Sequence, residues 1–163
     1  MLILGVDPGT VAIGLGLIKY TNNKASLIAF DCLSTNPKET TAERLLDLHN
    51  QLTKFLKKHQ PDIVAVEDLF FFKNLKTAIK VSQARGVILL AASQEKIKIF
   101  EYTPLQIKQA LTGYGRAEKH QVQQMVKAVL SLKEIPKPDD AADALAAAIC
   151  CAHSQKNIPS VRS

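Results

Sequence analysis

No run of apolar residues in this chain of 163 residues is long enough to span a bilayer. The first residues, Met1-Leu2-Ile3-Leu4-Gly5-Val6-Asp7, carry neither the basic start nor the small-residue cleavage site of a secretory signal, so the expected location is cytoplasmic. Cysteine is scarce and odd in number, with Cys32, Cys150 and Cys151 all in apolar stretches. These are expected to be reduced, buried thiols, not a disulfide framework or a zinc site. Four histidines (His49, His59, His120 and His153) are too scattered to complete a Cys/His ligand set. No internal repeat and no linker-like stretch divides the chain, whose length suits one domain of about 150 residues. A hydrophobic fraction of 47% with 22% charged residues excludes a disordered chain and suffices for a core without staples. The expectation is one domain over 1–153 and a mobile polar tail over 154–163.

What the chain has is positive charge, unevenly spread. The net charge is +6 and the pI about 9.3. Residues 69–138 hold twelve Lys or Arg against four acids, a net +8, while the remainder of the chain carries −2. An excess of this kind favours an anionic partner, and a phosphate-binding face is its functional reading; a solvated surface is the plain one. Several acids, by contrast, sit in short and otherwise apolar settings: Asp7, Glu67, Asp68, Asp139, Asp140 and Asp143.

The apolar pattern predicts strands over Leu2–Asp7, Ala12–Tyr20 and Ala25–Leu33, the last two joined as a hairpin by Thr21-Asn22-Asn23-Lys24. Helical spacing follows over Thr41–His59, stopped by Pro61, and then a nearly continuous apolar strand over Asp62–Asp68, expected to be central. A helix over Asn74–Gln94 is apolar on every side in its second half, Val87–Ala92, so burial on more than one face is expected. A strand over Ile97–Tyr102 and three helices near 104–111, 118–132 and 139–153 complete the chain. Three antiparallel strands followed by alternating helices and strands predict the α/β class, with one five-stranded mixed sheet and helices on both faces.

The acids mark the chemistry. Asp7 ends the first strand and Glu67 lies near the end of the fourth, so a parallel pair would bring both to one carboxyl edge, where open α/β sheets place their sites. Asp140 and Asp143 are three apart and share a helix face. Asp139 reads as a helix N-cap, and spacing alone does not choose between it and Asp140 as the partner of Asp143. A strand-end Asp before Pro-Gly is often only a turn residue. Four carboxylates from three segments, with no Lys or Arg in the same strands, ask for a counter-ion, because burying an unpaired charge costs several kcal/mol. All-oxygen ligands select Mg²⁺, with Mn²⁺ as its substitute. Two such ions per site, roughly 4 Å apart, beside a basic channel point to phosphodiester hydrolysis. The alternatives are an ATP-binding sugar-kinase or actin-like fold, suggested by Asp7-Pro8-Gly9-Thr10 but lacking a second such loop, and a non-catalytic module that only binds the polyanion, which has no use for four acids.

Five segments in order resemble the RuvC-type Holliday junction resolvases on the RNase H-like fold: Gly5-Val6-Asp7-Pro8-Gly9, Ala65-Val66-Glu67-Asp68-Leu69-Phe70, Gln83-Ala84-Arg85-Gly86, Ala117-Glu118-Lys119, and Asp140-Ala141-Ala142-Asp143-Ala144-Leu145-Ala146. The resemblance implies that Asp7, Glu67, Asp140 and Asp143 are catalytic, metal-binding acids. It implies that Phe70 stacks at the strand-exchange point, and that Lys108 and Lys119 contact DNA near the scissile phosphate. Of Phe70, Phe71 and Phe72 at least one must be exposed, and an exposed ring stacks on an unpaired base for about 1–3 kcal/mol; the plain reading is two core rings and one dimer contact. Lys73, Lys76, Lys80, Arg85 and Arg116, from the basic segment, complete the expected DNA-facing set. The resemblance further implies a two-fold homodimer, with helix 74–94 in the contact, that cuts two opposing strands of four-way junction DNA alongside a branch-migration motor complex. Asp68 and Asp139 are extra acids beside the matched ones.

Overall fold

The structure, a computed structural model, describes residues 1–9, 11–68 and 75–155. The chain runs β1 (Leu2–Asp7), β2 (Ala12–Thr21), β3 (Lys24–Ser34), α1 (Thr41–His59), β4 (Ile63–Glu67), α2 (Leu75–Gln94), β5 (Lys98–Tyr102), α3 (Pro104–Thr112), α4 (Lys119–Val129) and α5 (Asp139–Ser154). The sheet order is β3-β2-β1-β4-β5, antiparallel across β3, β2 and β1 and parallel across β1, β4 and β5. The expected mixed sheet is thus present, with β1 at its centre and β4 beside it.

Local chemistry sets the boundaries. Asn22 and Asn23, at φ 50° and 60°, take the left-handed backbone that a two-residue hairpin demands and asparagine tolerates. Thr40 and Glu43 cap α1 reciprocally, and Gln60 ends it in the left-handed region just before Pro61. Thr103 and Gln106 do the same for α3, which closes on Gly113. Asp62 falls outside its expected strand; its carboxylate accepts from the Leu2 N–H at 2.6 Å. The tenth element begins with Pro138 in the cap position and no side-chain cap bond, so Asp139 is not the N-cap: it lies in the first turn, where the helix dipole favours an acid.

Alternation along the strands splits the core in two. Leu4, Val6, Leu15, Leu17, Val64 and Val66 face α1 and α2, while Ile3, Ile18, Ile63 and Ala65 face α3, α4 and α5. Where α5 crosses β1 and β2 on this side, the strands carry glycine. An added Cβ on Gly5 would lie 1.8 Å from the Ala144 carbonyl oxygen, and one on Gly14 would lie 1.9 Å from that of Asp140. α5 therefore rests backbone against backbone in a trough, which explains its alanine-rich sequence and its burial on nearly every side from Ala141 to Ala152.

Two expectations change. The second half of α2 is not buried all round: Ile88, Ala91 and Ala92 are buried, but Leu90 is 52% exposed, because only α1 and the sheet cover the helix. Cys150 and Cys151 are buried, whereas Cys32, on an edge strand, is half-buried. Ser154 belongs to α5, and 156–163, most of the expected mobile tail, lie outside the described residues. Among the described residues no helix is long and apolar enough to cross a membrane.

The trough makes a quantitative demand. Gly5→Ala and Gly14→Ala each meet rigid backbone and are expected to lose about 3 kcal/mol of unfolding free energy, at the upper end of overpacking costs, read as a lowered urea midpoint.

Candidate active site

Period two places the site. In β1 the residues on the α5 side are Ile3 and Gly5, and the next is Asp7; in β4 they are Ile63 and Ala65, and the next is Glu67. The two strands run parallel with Val6 opposite Val66, so the two carboxylates stand side by side at one carboxyl edge. Asp7 also pairs with Gly14, and Gly14 with Cys32, making one row across the sheet. The first turn of α5 lies over the gap at Gly14. It brings Asp140 to this row, with its Oδ2 4.0 Å from Cys32 Sγ, and Asp143 one turn further along the same face.

The electrostatics record the convergence. Burial pushes the Asp7 carboxyl up to about 8, helped by the charges of Glu67, Asp143 and Asp140 and by a hydrogen bond shared with Glu67. Burial and the Asp143 charge push Glu67 up to about 7, against the opposing effects of that hydrogen bond and of Lys119 and Lys108. The Asp143 carboxyl is raised by burial as well, even though Lys119 donates to it across 2.8 Å. Burial disfavours the charged Lys119, but its contacts with Asp143 and Asp139 prevail and raise it. Asp140 acts on Asp7, whereas Asp139 is exposed and 3.4 Å from Lys119. The geometry thus groups Asp140, not Asp139, with Asp7.

Among the described residues no three Asp, Glu, His or Cys side chains are closed around an ion-sized point. Asp7 and Glu67 are instead joined by a hydrogen bond, and Asp143 accepts from Lys119. The donor set still fits a hard divalent cation, being all oxygen, half-buried and, among the described residues, without a Lys or Arg ion pair on Asp7 or Glu67. Beside the acids opens a cleft of about 220 Å³, lined by Glu67, Asp143, Lys108 and Lys119 over Ile107 and Val122.

The other expected DNA-facing residues are dispersed. Lys76 and Lys80 are exposed along α2, and Arg116 is exposed next to Tyr114 in the turn between α3 and α4. Arg85 is turned inward, onto Asp68 at 3.0 Å and onto Glu101. Phe70 and Lys73 lie outside the described residues. Cys32 beside Asp140, and the glycines under α5, were not legible as site components until the strand register was known. The spacing Asp7, Gly14, Cys32 across two hairpin pairings is the signal that would have found them.

The raised carboxyls fix a pH dependence. The folded chain binds protons that the unfolded chain releases near 3.8 and 4.5, so the stability they contribute is full at acid pH and is lost as pH rises towards about 8. In chelator-treated buffer, thermal unfolding is expected to show a loss on the order of 2 kcal/mol between about pH 4 and pH 8. Asp7→Asn should flatten that slope, and millimolar Mg²⁺ should restore the wild-type stability.

Comparison with known proteins agrees with this geometry. The family model described as "Crossover junction endodeoxyribonuclease RuvC" matches residues 3–151. A protein of that name from Desulfitobacterium hafniense is 56% identical over 154 residues, covering 94% of this chain and 93% of its own. The structure of Thermus thermophilus RuvC superposes with a TM-score of 0.86 at 38% identity, covering 94% of each chain. The same enzyme in complex with a Holliday junction substrate gives 0.86 at 36% identity, with the same coverage. A chain matched over nearly its whole length by this model, at this identity and with this fold, belongs to the RuvC family of crossover junction endodeoxyribonucleases, of RNase H-like fold.

Proposed function

We propose that this chain is a metal-dependent endodeoxyribonuclease that resolves four-way junction DNA by cutting two opposing strands, in recombination and repair. The observation that carries the reading is the placement of Asp7 and Glu67 side by side on one sheet edge under Asp140 and Asp143. The nuclease domain takes in α5 through Ser154, the polar remainder of the chain follows it, and the protein acts in the cytoplasm.

Asp7, Glu67, Asp140 and Asp143 would hold Mg²⁺, or Mn²⁺ in its place, two ions per site. Bound there, the cations supply Lewis-acid stabilisation of the phosphate and a water of lowered pKa. The chain's own part is to orient and to attract. Asp7 and Glu67 are fixed by the sheet, and Asp140 and Asp143 by a helix that cannot slide, because its backbone is seated on glycine. Lys108 and Lys119 line the cleft and bring positive charge to the scissile phosphate. Lys119 stays charged through its acid contacts, and its ammonium would stand beside a phosphate bound in the cleft. Lys76, Lys80 and Arg116 extend the positive surface along the DNA arms, with Lys73 and the stacking Phe70 from the segment between β4 and α2. A branch-migration motor complex is the functional partner.

Symmetric cutting requires a second copy. Leu75, Ile79, Ser82, Gly86 and Leu90 recur along one side of α2, with Leu75 75% exposed and Ile79 and Leu90 each 52% exposed. Such a stripe suits a two-fold partner, since burying each large side chain contributes about 1.5–3 kcal/mol.

The test is cleavage of a synthetic four-way junction against linear duplex, with Mg²⁺. Wild type is expected to nick opposing strands of the junction and to spare the duplex; equal cutting of both overturns the reading. Asp7→Asn should bind the junction undiminished yet lose more activity than the roughly 10–100-fold that follows loss of a supporting residue. Ile79→Asp should weaken self-association at least about tenfold in sedimentation and uncouple the two cuts.

A further inference from the structure

Asp68 stands next to Glu67, and its place in the fold separates it from the cleft. Along β4 and its continuation, Val66 faces α2, Glu67 faces α5, and Asp68 returns to the α2 side. There Arg85 Nη2 lies 3.0 Å from Asp68 Oδ1, and the same nitrogen reaches Glu101 Oε2. Glu101 belongs to β5, in register with Val66, and the Asp68 N–H donates to the Tyr102 carbonyl at 2.8 Å. One guanidinium therefore joins α2, the exit of β4 and β5. Its side chain is only 19% exposed, while its two acids are 42% and 44% exposed, so the arginine is the inserted member.

We infer that Arg85 is a positioning residue: by gripping Asp68 and Glu101 on the back of the sheet it fixes the end of β4, and with it the Glu67 carboxylate on the front. A guanidinium cannot lose its charge, so the nitrogen set between two carboxylates remains a cationic anchor. Its commitment to these acids also removes Arg85 from the DNA-contacting set. The same side chain ties the metal-site edge to α2, whose opposite side carries Ile79 and Leu90, so seating of a second copy on that helix is mechanically continuous with the Glu67 strand.

The inference rests on the reading of the four acids as a divalent-cation site for junction cutting, and the experiment separates the two. Full-length wild type, Arg85→Gln, Arg85→Lys and Asp68→Asn are compared for Mn²⁺ binding by calorimetry, for junction affinity with Ca²⁺ present, and for kcat and KM with Mg²⁺. Arg85→Gln and Asp68→Asn are expected to weaken Mn²⁺ binding and to lower kcat by about 10–100-fold, the usual effect of removing a support behind a metal ligand. Junction affinity and KM should stay within about threefold of wild type. Arg85→Lys keeps one charge and should recover part of the loss. Asp68→Asn removes only an exposed acid and leaves the Arg85–Glu101 contact, so it tests the clamp in a folded chain. Unchanged Mn²⁺ affinity and kcat in Asp68→Asn overturn the inference. So does an Arg85→Gln variant that loses junction affinity while keeping its metal affinity, which would return Arg85 to the DNA face. A wild type that cuts no junction refutes the underlying reading instead, whatever the variants do.

Discussion

Carboxylates of like charge do not gather in a half-buried place without something that holds them there. In this chain the holding is mechanical before it is electrostatic. α5 sits on Gly5 and Gly14, and at those two points no side chain separates helix from sheet, so the first turn of the helix comes down directly on the edge where Asp7 and Glu67 emerge. Interiors pack at crystal-like density, and a seat of backbone on backbone leaves the helix no alternative height. The repulsion among the four acids is then met by the hydrogen bond between Asp7 and Glu67 and by Lys119. A divalent cation would relieve it more fully, since it would satisfy several carboxylates at once.

The same constraint explains why the helix is made of alanine. A larger residue facing the trough would lift the helix, and a polar one would be buried among Ile3, Ile18 and Ile63 without a partner. Alanine gives high helix propensity with the smallest cross-section above glycine. Its cost is a thin core on this side of the sheet, and α3 and α4 close it by packing Ile107, Leu111, Val122 and Val126 over α5 from outside. Those two helices also carry Lys108 and Lys119. The layer that completes the core therefore delivers the cations of the cleft.

Much of this was legible in the amino-acid order, for physical reasons. Element type follows from apolar period, and the caps Thr40, Thr103 and Gly113 are local chemistry, so the strand and helix sequence reads off directly. Asp7 and Glu67 could be assigned to one edge because parallel strands share a carboxyl end. Distances were not legible. That Asp140 and not Asp139 approaches Asp7 depends on the rotation of α5, which the glycines of two other elements fix. Cys32 reaches the site only through the pairing register of an edge strand. The run Val87–Ala92 suggested burial on several faces, yet composition does not say what covers a face, and a single chain leaves Leu90 open. Charge counts likewise do not say where Arg85 turns; only the structure sets its guanidinium against Asp68 and Glu101.

Lys119 shows how a single side chain tempers such an edge. It reaches Asp143 from outside the sheet, at the start of α4, with about half of its side chain in solvent at 51% exposure. Among the described residues it is the one ion-pair partner of the four acids, and it limits their repulsion. Lys108 on α3 lines the same cleft, so positive charge from two helices stands beside the carboxylates. A flexible lysine stem at the mouth of a rigid acidic edge can turn towards an anion in the cleft without movement of the fold.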